Sequence, residues 1–121
     1  LLLDSGHLTF AGGDPVAVAK RYADRIKHVH CKDIRKSVMV DAKNRNLSFL
    51  QAVLNGTFTV PGDGCVDYPS IFAVLKESNY EGWLVVEAEQ DPSIAHPLTY
   101  AKLGYANLTK LCSDAGISVS Q

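Results

Sequence analysis

Residues 1–33 read LLLDSGHLTFAGGDPVAVAKRYADRIKHVHCKD and contain one complete strand–helix–strand unit. The apolar run at the start predicts a buried strand that ends at Asp4. Asp14 is a good helix N-cap and Pro15 suits the first helical position, so an amphipathic helix is predicted to follow. A second short strand is predicted at residues 26–30, IKHVH, which are followed by a charged segment.

The rest of the chain repeats this alternation of strands and helices. Helices are predicted at residues 48–54, 67–79 and 97–112, and a strand is predicted at residues 82–87. Segments rich in glycine or polar residues separate these elements, namely 6–13, 33–46 and 61–64. Strands joined by helices over connections of this length are parallel and linked by right-handed crossovers. The pattern therefore predicts an α/β fold of about three βα units, which both an open doubly wound sheet and a closed barrel contain.

The spacing of apolar residues predicts which face of each helix is buried. In the helix at 48–54 the residues expected to face inward are Phe49, Leu50, Val53 and Leu54. In the last helix they are Leu98, Ala101, Tyr105, Leu108 and Cys112. The strand at 82–87, GWLVVE, has the apolar density of a strand covered on both faces.

The composition is that of an ordinary globular protein with one core. The 121 residues are 46% hydrophobic and 21% charged, with a net charge of −1. No basic run indicates nucleic-acid binding, and no apolar stretch approaches the roughly 20 residues of a membrane helix. Cys31, Cys65 and Cys112 are odd in number and widely spaced, which favours neither a disulfide framework nor a CxxC metal site. A reducing, cytoplasmic setting is expected.

The chain opens directly in an apolar run, without a methionine or a polar lead-in. This start is typical of a cut through a strand and not of a signal peptide. We therefore expect residues 1–112 to be the C-terminal portion of one domain truncated at Leu1. Residues 113–121 are expected to form a polar C-terminal tail.

Three residues with ligand chemistry stand at the ends of three predicted strands, namely Asp4, His30 and Glu87. Catalytic groups of barrel enzymes collect at the carboxyl ends of the strands, so their positions favour a barrel over an open sheet. Two carboxylates and one imidazole form a ligand set that suits Mn²⁺, Co²⁺, Mg²⁺ or Zn²⁺. The sequence therefore predicts a divalent metal site at this edge.

Each of these residues also has an ordinary structural interpretation. A strand-end aspartate such as Asp4 is often a helix cap, and one histidine of the His28–His30 pair is expected to be structural. Glu87 and Glu89 share a strand face if the strand continues, so they compete for the ligand role. We favour Glu87 as the ligand, which leaves Glu89 as a supporting or solvated carboxylate.

Other polar residues near these strand ends are candidates for contact with a substrate. His7 lies three residues beyond Asp4, where it could bind substrate or transfer a proton. Four charged residues follow His30, of which we expect at most one to touch substrate hydroxyls and the others to be solvated. They are Lys32, Asp33, Arg35 and Lys36, and the two lysines are the substrate-binding candidates.

Four blocks of the sequence resemble the inosose dehydratase family, and together they span nearly the whole chain. The blocks are LLLDSGHLTFAGGDP, IKHVHCKD, FTVPGDGCVDYPSIF and GWLVVEAEQDP. This family belongs to the xylose-isomerase-like TIM barrels, in which D-x-x-H, H-x-H and a strand-final glutamate mark a single metal site. The resemblance implies that the chain is the C-terminal part of a (β/α)₈ barrel, and that about half of the barrel lies outside it.

The resemblance also implies roles for individual residues. Asp4, His30 and Glu87 would bind the metal, with Mn²⁺ or Co²⁺ preferred and Mg²⁺ or Zn²⁺ as alternatives. His7 would contact the substrate, and His7 and Glu89 are the catalytic candidates. A further glutamate ligand would come from a strand that precedes Leu1.

The activity implied by the resemblance is that of a carbon–oxygen hydro-lyase. It would remove water from 2-keto-myo-inositol, a small cyclic polyol ketone, and give a trihydroxycyclohexane-1,2-dione in inositol breakdown. Two alternatives stay open: a metal-dependent sugar isomerase or epimerase of the same barrel family, and a non-catalytic fragment that needs its missing N-terminal half and is inactive alone. A homo-oligomer of the full-length protein is also compatible with the sequence.

Overall fold

The computed structural model describes residues 1–120; residue 121, the last of the predicted tail, lies outside the described residues. Strands and helices alternate along the chain as the sequence predicts. The strands are β1 (Leu2–Asp4), β2 (His28–Cys31), β3 (Asp33–Ile34), β4 (Phe58–Thr59) and β5 (Trp83–Val86). The helices are α1 (Ser5–Phe10), α2 (Pro15–Tyr22), α3 (Lys36–Asn44), α4 (Phe49–Leu54), α5 (Tyr68–Glu77) and α6 (Pro97–Asp114), with a 3₁₀ turn at Ala23–Arg25.

The main sheet is parallel and has the strand order β1-β2-β5. Its register pairs Asp4 with His30 and His30 with Val85, so the ends of the three strands lie side by side. Helices α2 and α5 connect and cover these strands, and α2 packs against α5. The predicted α/β fold with parallel strands is therefore confirmed for this sheet.

A second, two-stranded sheet is antiparallel and was not expected from the sequence. It pairs Asp33 of β3 with Thr59 of β4, and Ile34 with Phe58. Helix α3 also lies in the segment 33–46, which the sequence suggested to be a polar connection without regular structure. Strands of two residues are too short to show any alternation of apolar and polar side chains, so periodicity could not detect them.

The segment 6–13 forms helix α1 and not the predicted loop. The helix begins because Asp4 accepts a hydrogen bond at 2.8 Å from the backbone N–H of His7, which is a side-chain N-cap. It ends before Gly12, whose φ of +90° is a left-handed conformation that glycine adopts readily. The glycines in this segment had suggested a loop, but one of them, Gly6, lies inside the helix.

The core lies between the main sheet and helices α2, α5 and α6. Its buried residues are Leu3, Ala19, Ile26, Val29, Cys31, Tyr68, Ile71, Phe72, Val74, Leu75, Leu108 and Cys112. The predicted inner face of α6 is correct at Leu108 and Cys112 but wrong at Leu98 and Tyr105, which are exposed. Strand β5 is not covered on both faces, since Trp83 is 75% exposed.

Helix α4 buries a different face from the one predicted. A capping box between Ser48 and Gln51 sets its start, and its buried residue is Ala52. Phe49, Leu50 and Leu54 are exposed, so the prediction that they face inward was wrong.

The carboxylate of Asp33 organises the connection between β4 and α5. Its Oδ1 accepts hydrogen bonds from the backbone N–H groups of Ile34 and Val66, and its Oδ2 accepts from those of Gly62 and Gly64. The pKa of Asp33 is raised, because the effect of burial exceeds that of the four backbone hydrogen bonds, which lower it. Four backbone donors to one buried side chain hold the turn at residues 62–66 in place.

Replacing Asp33 with asparagine should therefore destabilise the fold. An amide offers one acceptor atom and turns two donors toward backbone N–H groups, so we expect a loss of about 2–4 kcal/mol. Urea unfolding of Asp33→Asn measures this loss, with Asp24→Asn at an exposed position as the matched control. Equal midpoints for the two variants would contradict the proposed role of Asp33 in the turn.

The two outer strands of the main sheet each have one unpaired edge within residues 1–120, because β1 and β5 stand at its ends. Leu1, Leu2 and Trp83 are exposed along these edges. Within the same residues, no helix is both long enough and apolar enough to span a membrane.

Open parallel edges with exposed apolar side chains favour association, so we expect the isolated chain to self-associate. Sedimentation velocity across a concentration series measures this directly. Trp83 is the only tryptophan and is 75% exposed, so its emission should shift to shorter wavelength as the edges become covered. A monomer at every concentration with unchanged emission would show that the edges do not drive association.

Candidate metal centre

Three adjacent strands deliver the three predicted ligands to one end of the main sheet. Asp4 ends β1, His30 lies in β2, and Glu87 follows β5 directly. The backbone N–H of Glu87 donates to the carbonyl of Cys31 at 3.4 Å, which continues the pairing of β5 with β2. Because the strands are parallel and in register, their carboxyl ends meet at the same edge.

The side chains of Asp4, His30 and Glu87 converge, and one ligand atom from each lies within 4.8 Å of the others. Nδ1 of His30 is 2.6 Å from Oε2 of Glu87 and 3.6 Å from Oδ2 of Asp4. The structure thus brings together the three residues that the sequence predicted to bind one metal. Their role as ligands stays a prediction that metal binding must test.

One atom of this cluster supports the fit of a cation. Oε2 of Glu87 is buried and accepts no hydrogen bond from residues 1–120. Nδ1 of His30 lies 2.6 Å away, but the contact lacks the directionality of a hydrogen bond. A buried carboxylate oxygen without a donor is costly, and a divalent cation shared with the imidazole would satisfy it.

Asp4 uses its two oxygens for two purposes. Oδ1 caps helix α1 at the backbone N–H of His7. Oδ2 faces the cluster, 3.2 Å from Nδ1 of His7 and 3.4 Å from Nζ of Lys32. Asp4 can therefore be both a helix cap and the predicted ligand, because each role uses a different oxygen.

Lys32 lies beneath the cluster and is 0% exposed. Its ammonium nitrogen is 2.9 Å from Nε2 of His7 and 2.9 Å from Oε2 of Glu89. It is also 3.4 Å from Oδ2 of Asp4 and 3.4 Å from Oε1 of Glu87. A lysine from the charged segment after His30 is thus a buried cation among three carboxylates, which sequence reasoning did not foresee.

Lys32 contacts Ser5 through its backbone, and Gly6 and Phe58 through its side chain. Ser5 Oγ donates to the backbone carbonyl of Lys32 at 2.8 Å and lies 3.0 Å from Oη of Tyr68. The methylene chain crosses Gly6, where an added Cβ would lie 2.7 Å from Lys32 Cγ. The ammonium lies 5.5 Å from the ring centre of Phe58, a cation–π distance. Gly6 permits this close approach because it has no Cβ.

Glu87 and Glu89, the two candidates for the glutamate ligand, have different partners in the structure. Glu87 faces His30, whereas Glu89 lies 2.5 Å from Nε2 of His7 and 2.9 Å from Lys32. Burial raises the pKa of Glu89, but the hydrogen bonds from Lys32 and His7 outweigh it and lower the pKa overall. Glu89 therefore belongs to a pair with His7 beside the predicted ligands.

Other residues near the site lie apart from this cluster. Lys36, a predicted substrate-binding residue, is exposed at the start of α3 and lies close to Cys65. His28 contacts the ring of His30 edge-on, with centroids 5.2 Å apart. The Cys31 thiol faces the core, and burial raises its pKa well above the usual range, which supports the prediction that it is not a nucleophile.

A parallel α/β sheet with carboxylates and an imidazole at its carboxyl edge defines the class of protein. The profile of the family described as xylose isomerase-like TIM barrel matches residues 1–111, and the chain belongs to this family. The solved structure of a xylose isomerase domain protein from Alicyclobacillus acidocaldarius is similar to this chain, with a TM-score of 0.62 and 23% sequence identity. The match covers 96% of this chain and 37% of that protein. That structural match supports the fold.

Curated relatives narrow the resemblance further. The rhizopine catabolism protein MocC of Rhizobium meliloti is 60% identical over 120 residues, which are 99% of this chain and 37% of that protein. The inosose dehydratase of Clostridium beijerinckii is 57% identical over 101 residues, 84% of this chain and 34% of that protein. The predicted resemblance to inosose dehydratases is therefore confirmed, for a chain that spans about a third of these relatives.

The contact between Gly6 and Lys32 can be tested by a double-mutant cycle. Gly6→Ala places a Cβ against the lysine stem, so we expect it to destabilise the fold by about 1–3 kcal/mol. In a Lys32→Ala background the clashing Cγ is absent, so the same change should cost much less. Urea unfolding of the four proteins in the cycle gives the coupling energy. Additive effects would show that the close approach does not restrict Gly6.

Proposed function

We propose that this chain carries the metal-binding and proton-transfer residues of an inosose dehydratase, a hydro-lyase. The reaction removes water from 2-keto-myo-inositol and gives a trihydroxycyclohexane-1,2-dione, a step of inositol breakdown. The observation that carries the proposal is one continuous cluster, in which the predicted ligands adjoin the buried network of Lys32, His7 and Glu89. The identity of 57% with the inosose dehydratase of C. beijerinckii supports it.

Asp4, His30 and Glu87 would hold a divalent cation, with Mn²⁺ or Co²⁺ preferred and Mg²⁺ or Zn²⁺ as alternatives. Two carboxylates with one imidazole suit these ions better than those that seek thiolates. When bound, the ion supplies a Lewis acid that polarises the ketone of the substrate and stabilises negative charge developing on its oxygen. The orphaned Oε2 of Glu87 beside Nδ1 of His30 is the observation that favours such an ion.

Dehydration also needs a base that removes a proton from a carbon of the substrate and an acid that protonates the leaving hydroxyl. The proton on the carbon next to the ketone must leave, and its electron pair shifts toward the ketone oxygen. That electron pair then returns to form a double bond to the next carbon as the bond from that carbon to its hydroxyl breaks, and the hydroxyl takes up a proton and leaves as water. The enol that results tautomerises to the dione. His7 and Glu89 are hydrogen-bonded and partly exposed, so we assign both transfers to this pair.

Lys32 is proposed to hold this pair in place. It is 0% exposed, and its ammonium donates to Glu89 at 2.9 Å while lying 2.9 Å from His7. Its charge offsets the repulsion among the partly buried carboxylates of Asp4, Glu87 and Glu89. A positioning role therefore fits Lys32 better than the direct substrate contact expected from the sequence.

Lys36 is proposed only as a peripheral substrate contact, because it is exposed at the start of α3. The cytoplasmic setting is likewise proposed, and the three free cysteines are consistent with it. A small cyclic polyol ketone is the proposed partner.

The test uses a chimera in which this chain replaces the matching segment of the C. beijerinckii inosose dehydratase. The metal-stripped chimera is assayed for consumption of 2-keto-myo-inositol with and without Mn²⁺ or Co²⁺. His30→Ala should weaken Mn²⁺ binding by at least roughly 100-fold, and dione formation should fall with it. Calorimetry measures the metal affinity independently of turnover.

The control is His28→Ala, which removes the neighbouring imidazole on the same strand face and should keep most of the Mn²⁺ affinity. Equal losses in both variants would show that His30 is not the ligand. A chimera that epimerises a ketose without forming a dione would replace the proposed dehydratase with the isomerase or epimerase alternative. The parent dehydratase, assayed beside the chimera, controls for folding of the host.

A further inference from the structure

Three phenylalanines form an aromatic wall on one side of the cluster, namely Phe10, Phe49 and Phe58. Their ring centroids lie 5.4–5.7 Å apart in all three pairs. The ring of His7 contacts two of them, at 5.3 Å from Phe58 in an edge-on arrangement and at 5.8 Å from Phe49. The wall therefore adjoins a residue of the proposed proton-transfer pair.

The members of the wall differ in how firmly they are held. Phe58 is fully buried, pairs with Ile34 through β4, and lies under the ammonium of Lys32. Phe49 is 46% exposed, although it is an aromatic residue in contact with two others. The Ser48–Gln51 capping box fixes the start of its helix, so its position does not depend on its own burial.

The site thus has two chemically distinct sides. The wall is apolar, whereas the floor consists of the ammonium of Lys32 and the polar groups of His7 and Glu89. Small-molecule sites generally combine apolar lining with a few polar groups that fix orientation. A molecule that fits here needs one flat apolar surface and a polar edge roughly beside it.

A cyclic polyol with mostly equatorial hydroxyls has this form. Its axial C–H groups make the two faces of the ring apolar, and its hydroxyls form a polar rim. Such a face packs well against an aromatic ring, while the rim is free to form hydrogen bonds. An open-chain polyol has no rigid face and exposes hydroxyls on all sides.

We propose that Phe49 is a specificity-determining residue, whose exposed ring packs against one C–H face of a cyclic polyol ketone. The hydroxyl rim of that substrate then faces His7 and Glu89. This inference rests on the proposed function and adds to it the reason for preferring a ring over an open chain. It also explains why an aromatic side chain stays half exposed beside the site.

The test uses the Mn²⁺-loaded chimera and compares Phe49→Ala with Leu50→Ala, a neighbouring change on the same helix at a 64% exposed residue. We expect Phe49→Ala to raise KM for 2-keto-myo-inositol and Kd for myo-inositol by roughly 3- to 10-fold. The kcat and the Mn²⁺ affinity should stay unchanged, and the Kd for the open-chain hexitol sorbitol, measured in the same way, should not rise. Phe49→Tyr keeps the aromatic ring, so it should bind both cyclic molecules as tightly as the unmodified chimera does. Leu50→Ala should have none of these effects.

Equal effects on myo-inositol and sorbitol, or equal effects of Phe49→Ala and Leu50→Ala, would overturn the proposal. A loss of Mn²⁺ affinity in Phe49→Ala alone would show a structural role and would overturn it too. Because the Kd of myo-inositol is measured directly, this test does not depend on turnover. A chimera that binds myo-inositol through Phe49 but forms no dione would contradict the proposed function and support the role of Phe49.

Discussion

The buried ammonium of Lys32 is the charge on which the rest of the site depends. Three carboxylates converge at the carboxyl edge of the sheet, and without a cation beneath them they would repel each other in a poorly solvated space. The side chain reaches this position only because Gly6 has no Cβ, and the hydroxyl of Ser5 holds its backbone. Ser5 and Gly6 of α1 therefore support the site through their contacts with Lys32.

The predicted ligands could be derived from the sequence because three simple regularities act together. Parallel strands place their carboxyl ends at one edge, alternation selects the side chains that face it, and Asp4, His30 and Glu87 all occupy strand ends. The same reasoning left Glu87 and Glu89 in competition, since both share a face. Their partners in three dimensions differ: Glu87 faces His30, and Glu89 faces His7.

What the sequence could not predict depends on contacts between distant segments. Lys32 was expected in a charged, largely solvated segment, because nothing local shows that its stem crosses Gly6. The β3–β4 pairing joins segments about 25 residues apart and is too short for any periodic signal. In α4, apolar spacing favoured Phe49 as a core residue, but the buried position is Ala52. Hydrophobic patterns predict that a residue avoids water in general and do not identify the partner that covers it.

A chain that spans about a third of its relatives can still hold a convergent site, because the site is local in the fold although distant in sequence. The convergence of Asp4, His30 and Glu87 requires only three adjacent parallel strands in the correct register. Asp4 also caps α1 with its other oxygen. One side chain therefore holds the helix that carries Gly6 and supplies an oxygen to the cluster. The arrangement of this end of the sheet therefore follows from contacts within the chain, whereas the covering of its open edges by any further strands is a separate matter of stability.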